Sequence, residues 1–246
     1  MTLLSRNEAA GKIMVALDKP DAKAAVELAD QLQGSGCWMK VGMELFYAAG
    51  PEIVRELKSR GFRIFLDLKM HDIPNTVRGG ARSIARLGVD LFNVHGAGGL
   101  AMMSAAAEGV RDALEAGDAE RAPLVIAVTQ LTSTSQRVLN DEIGIPGGLE
   151  DAVVHYAKLA QAAGLQGVVA SPLEVRAIKQ ACGDGFITVT PGVRPRGADA
   201  GDQSRITTPR DAVAGGTDYL VIGRPITAAV SPSEALDNIL KEMTES

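Results

Sequence analysis

The chain has 246 residues, of which 46 % are hydrophobic and only 4 % aromatic, and its formal net charge is −5. That length suits one (β/α)8 barrel, and a core so poor in rings must be filled with Val, Ile, Leu and Ala, as parallel-strand interiors are. The negative balance excludes a protein whose main task is gripping nucleic acid, while a single local phosphate site remains compatible with it.

Short apolar runs alternate with stretches of helical periodicity. A strand is predicted over 13–17, followed by an amphipathic helix over 22–32. A second strand over 38–42 precedes a helix over 51–60, and a third over 62–68 precedes a helix over 77–87. The fourth unit pairs 91–95 with a helix over 100–116. After Pro123 come a strand over 124–128 and a helix over 149–163; the sixth unit joins 167–170 to 173–181. Strands over 186–190 and 219–222 and a last helix over 233–243 complete the series.

Each strand is continuously apolar rather than alternating, which predicts burial on both faces. Eight units in this length leave little room for anything else. Residues 1–246 therefore read as one domain, an α/β single-domain (β/α)8 TIM barrel. A doubly wound open sheet is the alternative, but no Gly-x-Gly-x-x-Gly follows the first strand. Two connections, 130–148 and 191–207, exceed the roughly two to six residues usual for βα loops and fall at the face where barrels place their chemistry. They are lid candidates.

Cys37 and Cys182 form neither a zinc-type pair nor a disulfide framework. The N-terminus carries no signal-like pattern, and no apolar run approaches the roughly 18 residues of a membrane span. The expectation is a reduced, cytoplasmic chain with no membrane partner.

Function is read from charges that interrupt the apolar runs. Asp18 ends the first strand, Lys40 sits within the second, and Asp67 and Lys69 end the third. Each could simply snorkel or cap a helix, but Trp38-Met39-Lys40-Val41-Gly42 offers an ammonium group little except the barrel interior. Asp67 and Lys69, two apart on an extended strand, share a face, and Lys40 on the adjacent strand can join them. An opposite pair at about 4 Å is worth roughly 4 kcal/mol at an effective dielectric of 20. Desolvation costs a comparable amount, so the array makes better sense as preorganised electrostatics for a charge-moving reaction. Asp72, before Pro74, reads equally as a helix cap or a functional group.

Gly223-Arg224-Pro225-Ile226 after the eighth strand has the composition and place of a phosphate cradle; a tight turn with a surface arginine is the plainer reading. Pro191-Gly192-Val193-Arg194-Pro195 supplies a second arginine, and the following loop through Gln203 could fold over a ligand. Gly96-Ala97-Gly98-Gly99 reads as a tight turn. His71, His95 and His155 have no metal-ligand spacing and are taken as structural or supporting groups.

Together these residues resemble the orotidine 5′-monophosphate decarboxylase family, bacterial type. The resemblance runs from Val15-Ala16-Leu17-Asp18 to Ile222-Gly223-Arg224-Pro225-Ile226. Its most specific motif is Asp67-Leu68-Lys69-Met70-His71-Asp72-Ile73-Pro74-Asn75-Thr76. It implies decarboxylation of orotidine 5′-monophosphate to UMP without metal or organic cofactor. Lys40, Asp67, Lys69 and Asp72 would form the catalytic network, with Lys69 giving the proton to C6. It further implies a homodimer in which Asp72 and Thr76 enter the neighbouring site. Asp18 and Lys40 would bind ribose hydroxyls, Thr132 the pyrimidine ring, and Gln203 both ring and phosphate; Arg194, Gly223 and Arg224 would hold the phosphate. Hexulose-6-phosphate synthase and 3-keto-gulonate-6-phosphate decarboxylase resemble the Asp-x-Lys-x-x-Asp motif but use Mg2+ and generally carry an acidic residue where Lys40 stands.

Overall fold

The computed structural model describes residues 4–195 and 207–245. Eight parallel strands close into a barrel in chain order. They are β1 (Ile13–Ala16), β2 (Trp38–Gly42), β3 (Arg63–Met70), β4 (Leu91–His95), β5 (Leu124–Val128), β6 (Gly167–Val169), β7 (Ile187–Thr190) and β8 (Tyr219–Ile222). The last pairs with the first through Ile13↔Leu220 and Val15↔Ile222, which leaves no free sheet edge.

Strand alternation divides the buried side chains into two cores. Ile13, Val15, Met39, Val41, Ile64, Leu66, Phe92 and Val94 face the helical shell. Met14, Trp38, Phe65, Leu91, Ile126 and Val189 pack inside the barrel. Both faces are buried, and the continuous apolar runs follow from that. Two residues further along the same strands stand Lys40, Asp67 and Asn93 after Trp38, Phe65 and Leu91; Lys40 and Asp67 line the cavity above, and Asn93 is hydrogen-bonded to Asp67. The lower interior is apolar and the upper interior polar.

Several short helices lack a counterpart among the predicted elements: Arg6–Lys12, Met43–Ala49, Pro209–Ala214 and Arg224–Thr227. The first is started by a capping box between Ser5 and Glu8. It ends beside the bottom of the barrel, where Gly11 C=O accepts a 3.0 Å hydrogen bond from Trp38 Nε1. The Arg63 guanidinium lies 4.5 Å over the same indole, and Tyr219 meets it edge-on. These contacts seal the end away from the chemistry.

The regular alternation expected of 67–69 does not hold. Between Leu66↔Phe92 and Met70↔Val94, β3 spends four steps against two on β4. Lys69 takes up the excess with φ 51°, the one positive φ at a non-glycine among the described residues. Asp67 and Lys69 still meet, but through a turned backbone rather than through strand parity.

The expected lid 130–148 is tied to itself. Gln136 Nε2 donates to Asn140 Oδ1 and Gly147 C=O at 2.8 Å each, Asn140 Nδ2 donates to Ile145 C=O at 2.7 Å, and a short π-helical stretch, Val138–Glu142, fills the middle. In 191–207 the described ends are joined: Val193 bridges Thr207, and Arg194 N–H donates to Thr207 C=O at 3.0 Å. Gly96–Gly98 forms a single 3-10 turn leading into the helix Gly99–Glu115, as a tight turn should.

Candidate active site

The C-terminal mouth of the barrel opens into a cavity of about 410 Å³. Ala16, Phe65, Val128, Val169 and Val221, inward residues of five strands, form its apolar lining. Asp18, Lys40, Asp67, Lys69, Thr132, Arg194, Gly223 and Arg224 also line it. Eight of the sequence-predicted residues thus share one cavity.

Lys40 is 8 % exposed. Its Nζ lies 3.0 Å from Asp18 Oδ1 and 3.6 Å from Asp67 Oδ2. Lys69 Nζ donates to the other oxygen of the same carboxylate, Asp67 Oδ1, at 2.7 Å. The order along the cavity wall is therefore Asp18, Lys40, Asp67, Lys69, alternating in sign. Burial pushes the Asp67 carboxyl up, but the charges of Lys40 and Lys69 and the hydrogen bonds from Lys69 and Asn93 outweigh it and hold the group below its ordinary range. Gly42 sits close to the array: a Cβ there would lie 3.1 Å from Lys40 Nζ and 3.5 Å from Asp18 Oδ1.

Arg194, also in the lining, is 8 % exposed, with Nη1 donating to Val193 C=O at 3.0 Å. Gly223 caps the short helix Arg224–Thr227, whose N-terminus faces the cavity with Arg224 at its start. An anion entering here meets two guanidinium groups.

A family model described as the Orotidine 5'-phosphate decarboxylase / HUMPS family matches residues 11–239. The orotidine 5'-phosphate decarboxylase of Moorella thermoacetica is 55 % identical over 239 residues, covering 97 % of this chain and 94 % of that one. That of Heliobacterium modesticaldum is 51 % identical over 242 residues, with 97 % and 98 % covered. The chain belongs to the Orotidine 5'-phosphate decarboxylase / HUMPS family. Its fold agrees: the crystal structure of orotidine 5'-phosphate decarboxylase from Lactobacillus acidophilus superposes with a TM-score of 0.83 at 38 % identity, covering 95 % of this chain and 99 % of the other.

Two residues of the family motif stand apart. Asp72 and Thr76 are exposed and do not line the cavity of their own chain. Asp72 is not the helix cap: Ile73 holds that position, Pro74 begins the helix Pro74–Arg86, and Asp72 Oδ1 accepts the Ile73 N–H at 2.6 Å. Gln203 lies outside the described residues.

Asn93 is the residue that sequence reasoning passed over. It is 1 % exposed, donates from Nδ2 to Asp67 Oδ1 at 2.7 Å, and accepts the Lys69 backbone N–H on Oδ1 at 2.8 Å. A lone amide inside the apolar run Leu91-Phe92-Asn93-Val94 was the available signal, of the same kind as Lys40. Gln130, Leu131 and Ser133 also line the cavity beside Thr132. His71 and His95 stack with ring centroids 5.5 Å apart, outside the lining; burial, His71 and Lys69 push the His95 imidazole down.

Among the described residues no group of three or more His, Cys, Asp or Glu side chains is arranged to hold a metal ion. The position between Asp18 and Asp67 is taken by the Lys40 ammonium.

Proposed function

We propose that this chain decarboxylates orotidine 5′-monophosphate to UMP and CO2, with Lys69 delivering the proton to C6. The observation that carries the reading is the alternation Asp18, Lys40, Asp67, Lys69 in the same cavity that Arg194 and Arg224 line. The two guanidinium groups suit a phosphate, and the alternating charges suit a reaction that moves negative charge.

In that reaction the C6–carboxylate bond breaks, CO2 leaves, and the electron pair stays on C6. The pyrimidine ring offers no good electron sink, so the stabilising charge must come from the protein. The Lys69 ammonium is already held in place by Asp67 and can face the developing carbanion and then protonate it. Asp67, kept ionised, stands near the carboxylate that departs and disfavours the bound substrate more than the transition state. Asp18 and Lys40 take the ribose hydroxyls and Thr132 the ring. Arg194, Gly223 and Arg224 take the phosphate, with Gln203 bridging ring and phosphate. Binding energy gained at the non-reacting phosphate is then available to assemble the site.

The same reading makes the active unit a homodimer in which Asp72 and Thr76 serve the neighbouring cavity. Their exposure beside their own cavity supports it. So do exposed large hydrophobics on the same end of the barrel: Met43, Tyr47, Ile73 and Leu100 follow the C-terminal ends of β2 to β4. A cytoplasmic location belongs to this reading too, supported by two free cysteines, one of them buried; among the described residues no helix is long and apolar enough to cross a membrane.

The Mg2+-dependent sugar-phosphate enzymes that share the motif are disfavoured by Lys40, whose charge opposes a cation between Asp18 and Asp67. The test is ultraviolet absorbance during conversion of orotidine 5′-monophosphate, with and without EDTA. Turnover that ignores the chelator is expected; absence of turnover, or dependence on added metal, overturns the reading.

A further inference from the structure

We infer that Asn93 is a positioning residue for this reaction, one amide fixing both the Asp67 carboxylate and the turned backbone that aims Lys69. The inference rests on the roles proposed above for Asp67 and Lys69.

A buried primary amide must find partners for its N–H and C=O groups. Asn93 spends both on the reacting wall: Nδ2 donates to Asp67 Oδ1 and Oδ1 accepts from the Lys69 amide, at 2.7 and 2.8 Å. The second bond answers a specific deficit. Because β3 carries excess residues against β4, neither neighbouring ladder gives Lys69 a register partner. Its φ of 51° is a conformation that L residues adopt at a cost and that persists only where the surroundings impose it. The Asn93 carbonyl supplies the acceptor that the ladder lacks, at the residue whose backbone is turned.

The first bond sets the partner group. Asp67 Oδ1 receives two donors, Lys69 Nζ and Asn93 Nδ2, while Oδ2 faces Lys40 at 3.6 Å. A carboxylate held on both oxygens keeps one rotamer, and Lys69 Nζ is positioned by that rotamer. Removing the amide frees the carboxylate to rotate and the backbone at Lys69 to relax. Neither change touches the residues that line the phosphate end, Arg194, Gly223 and Arg224.

The experiment compares Asn93→Ala and Asn93→Asp with wild type and with Lys69→Ala. In Asn93→Ala, kcat should fall about 100-fold, the loss expected from a misplacement near 1 Å, with KM within about threefold of wild type. The acid limb of kcat should move upward, since Asp67 loses one of the bonds that keep it ionised. A residue that merely fills the fold would lower stability and leave that limb in place. Asn93→Asp keeps an acceptor for the Lys69 amide but sets a second carboxylate against Asp67, and should lose at least as much activity. Folded Asn93→Ala with near wild-type kcat and an unmoved limb overturns the inference, as does folded Asn93→Asp with near wild-type kcat. If neither variant folds, hydrogen exchange in the wild-type protein decides. Slow exchange of the Lys69 amide is expected, and exchange at an unprotected rate refutes the bond on which the inference stands. An inactive Lys69→Ala beside a fully active Asn93→Ala sinks only this inference; an active Lys69→Ala sinks the underlying reading.

Discussion

Lys69 Nζ lies 2.7 Å from Asp67 Oδ1 across a backbone that is turned rather than extended, with φ 51° at Lys69 itself. The two groups are held together by the main chain, by Asn93 and by the facing Lys40, so neither side chain is free to answer the loss of the other. Removing Lys69 should therefore leave a folded barrel without chemistry. Lys69→Ala is expected to lower kcat by at least roughly 1000-fold, the range of a lost general acid combined with lost charge stabilisation, with an unchanged circular dichroism spectrum. Near-normal turnover would remove Lys69 from the mechanism.

The exposed position of Asp72 gives a test of the shared site. Asp72→Ala and Lys69→Ala homodimers should each be inactive. After subunit exchange, a mixed dimer regains one intact site of its two, so a one-to-one mixture should recover about a quarter of wild-type activity. Exchange shown by mass spectrometry without recovery would place Asp72 in its own chain's site.

Arg224 should act through the phosphate alone. Losing one charge-assisted bond costs about 1.5–3 kcal/mol, so Arg224→Ala should lower kcat/KM for orotidine 5′-monophosphate by about 10- to 150-fold. With the phosphate-free nucleoside orotidine, wild type and variant should be equally slow. A penalty of the same size on both substrates would show that Arg224 serves the barrel rather than the phosphate.

Asp67 makes a pH prediction whose sign follows from its environment. Its folded-state pKa is depressed, so the stabilisation it gives is complete above the ordinary carboxylate value and is lost only as pH falls through the lower, folded value. Urea denaturation of wild type and Asp67→Asn should show the wild-type advantage persisting down to about pH 3.9, the unperturbed value, and shrinking below it. An advantage already gone near pH 6 would contradict the geometry.

Gly109 joins the helix Gly99–Glu115 to Pro74–Arg86 at close range: a Cβ there would sit 2.2 Å from the Arg78 carbonyl oxygen. Gly109→Ala forces those helices apart and should cost about 1–3 kcal/mol, read as a lower urea midpoint. Because Pro74–Arg86 begins just after Asp72, activity should fall more than stability alone explains.

The barrel was legible because parallel strands buried on both faces are apolar throughout, and their ends moved by only a residue or two. Lys40, Asp67 and Lys69 stood out as charges set against that background. The turn at Lys69 was not legible, since no glycine or asparagine there announces a positive φ. Met43–Ala49 starts directly from β2 at Gly42 with no side-chain cap, so nothing separates strand from helix in the sequence. The helix Arg6–Lys12 was signalled by Ser5 and Glu8 and was missed. Asn93 was hidden because an amide draws less notice than a charge, although burial makes the same demand on both for partners.

Trp38 and Lys40, Phe65 and Asp67, Leu91 and Asn93 share strands and directions, one apolar tier beneath one polar tier. The lower tier behaves as a socket and the upper as the set of pins seated in it. Substitutions at 40, 67 and 93 can change what the cavity does without unseating the side chains that close the cylinder below. A drift in volume at 38, 65 or 91 would instead tilt the pins and be felt as lost rate long before it is felt as lost fold.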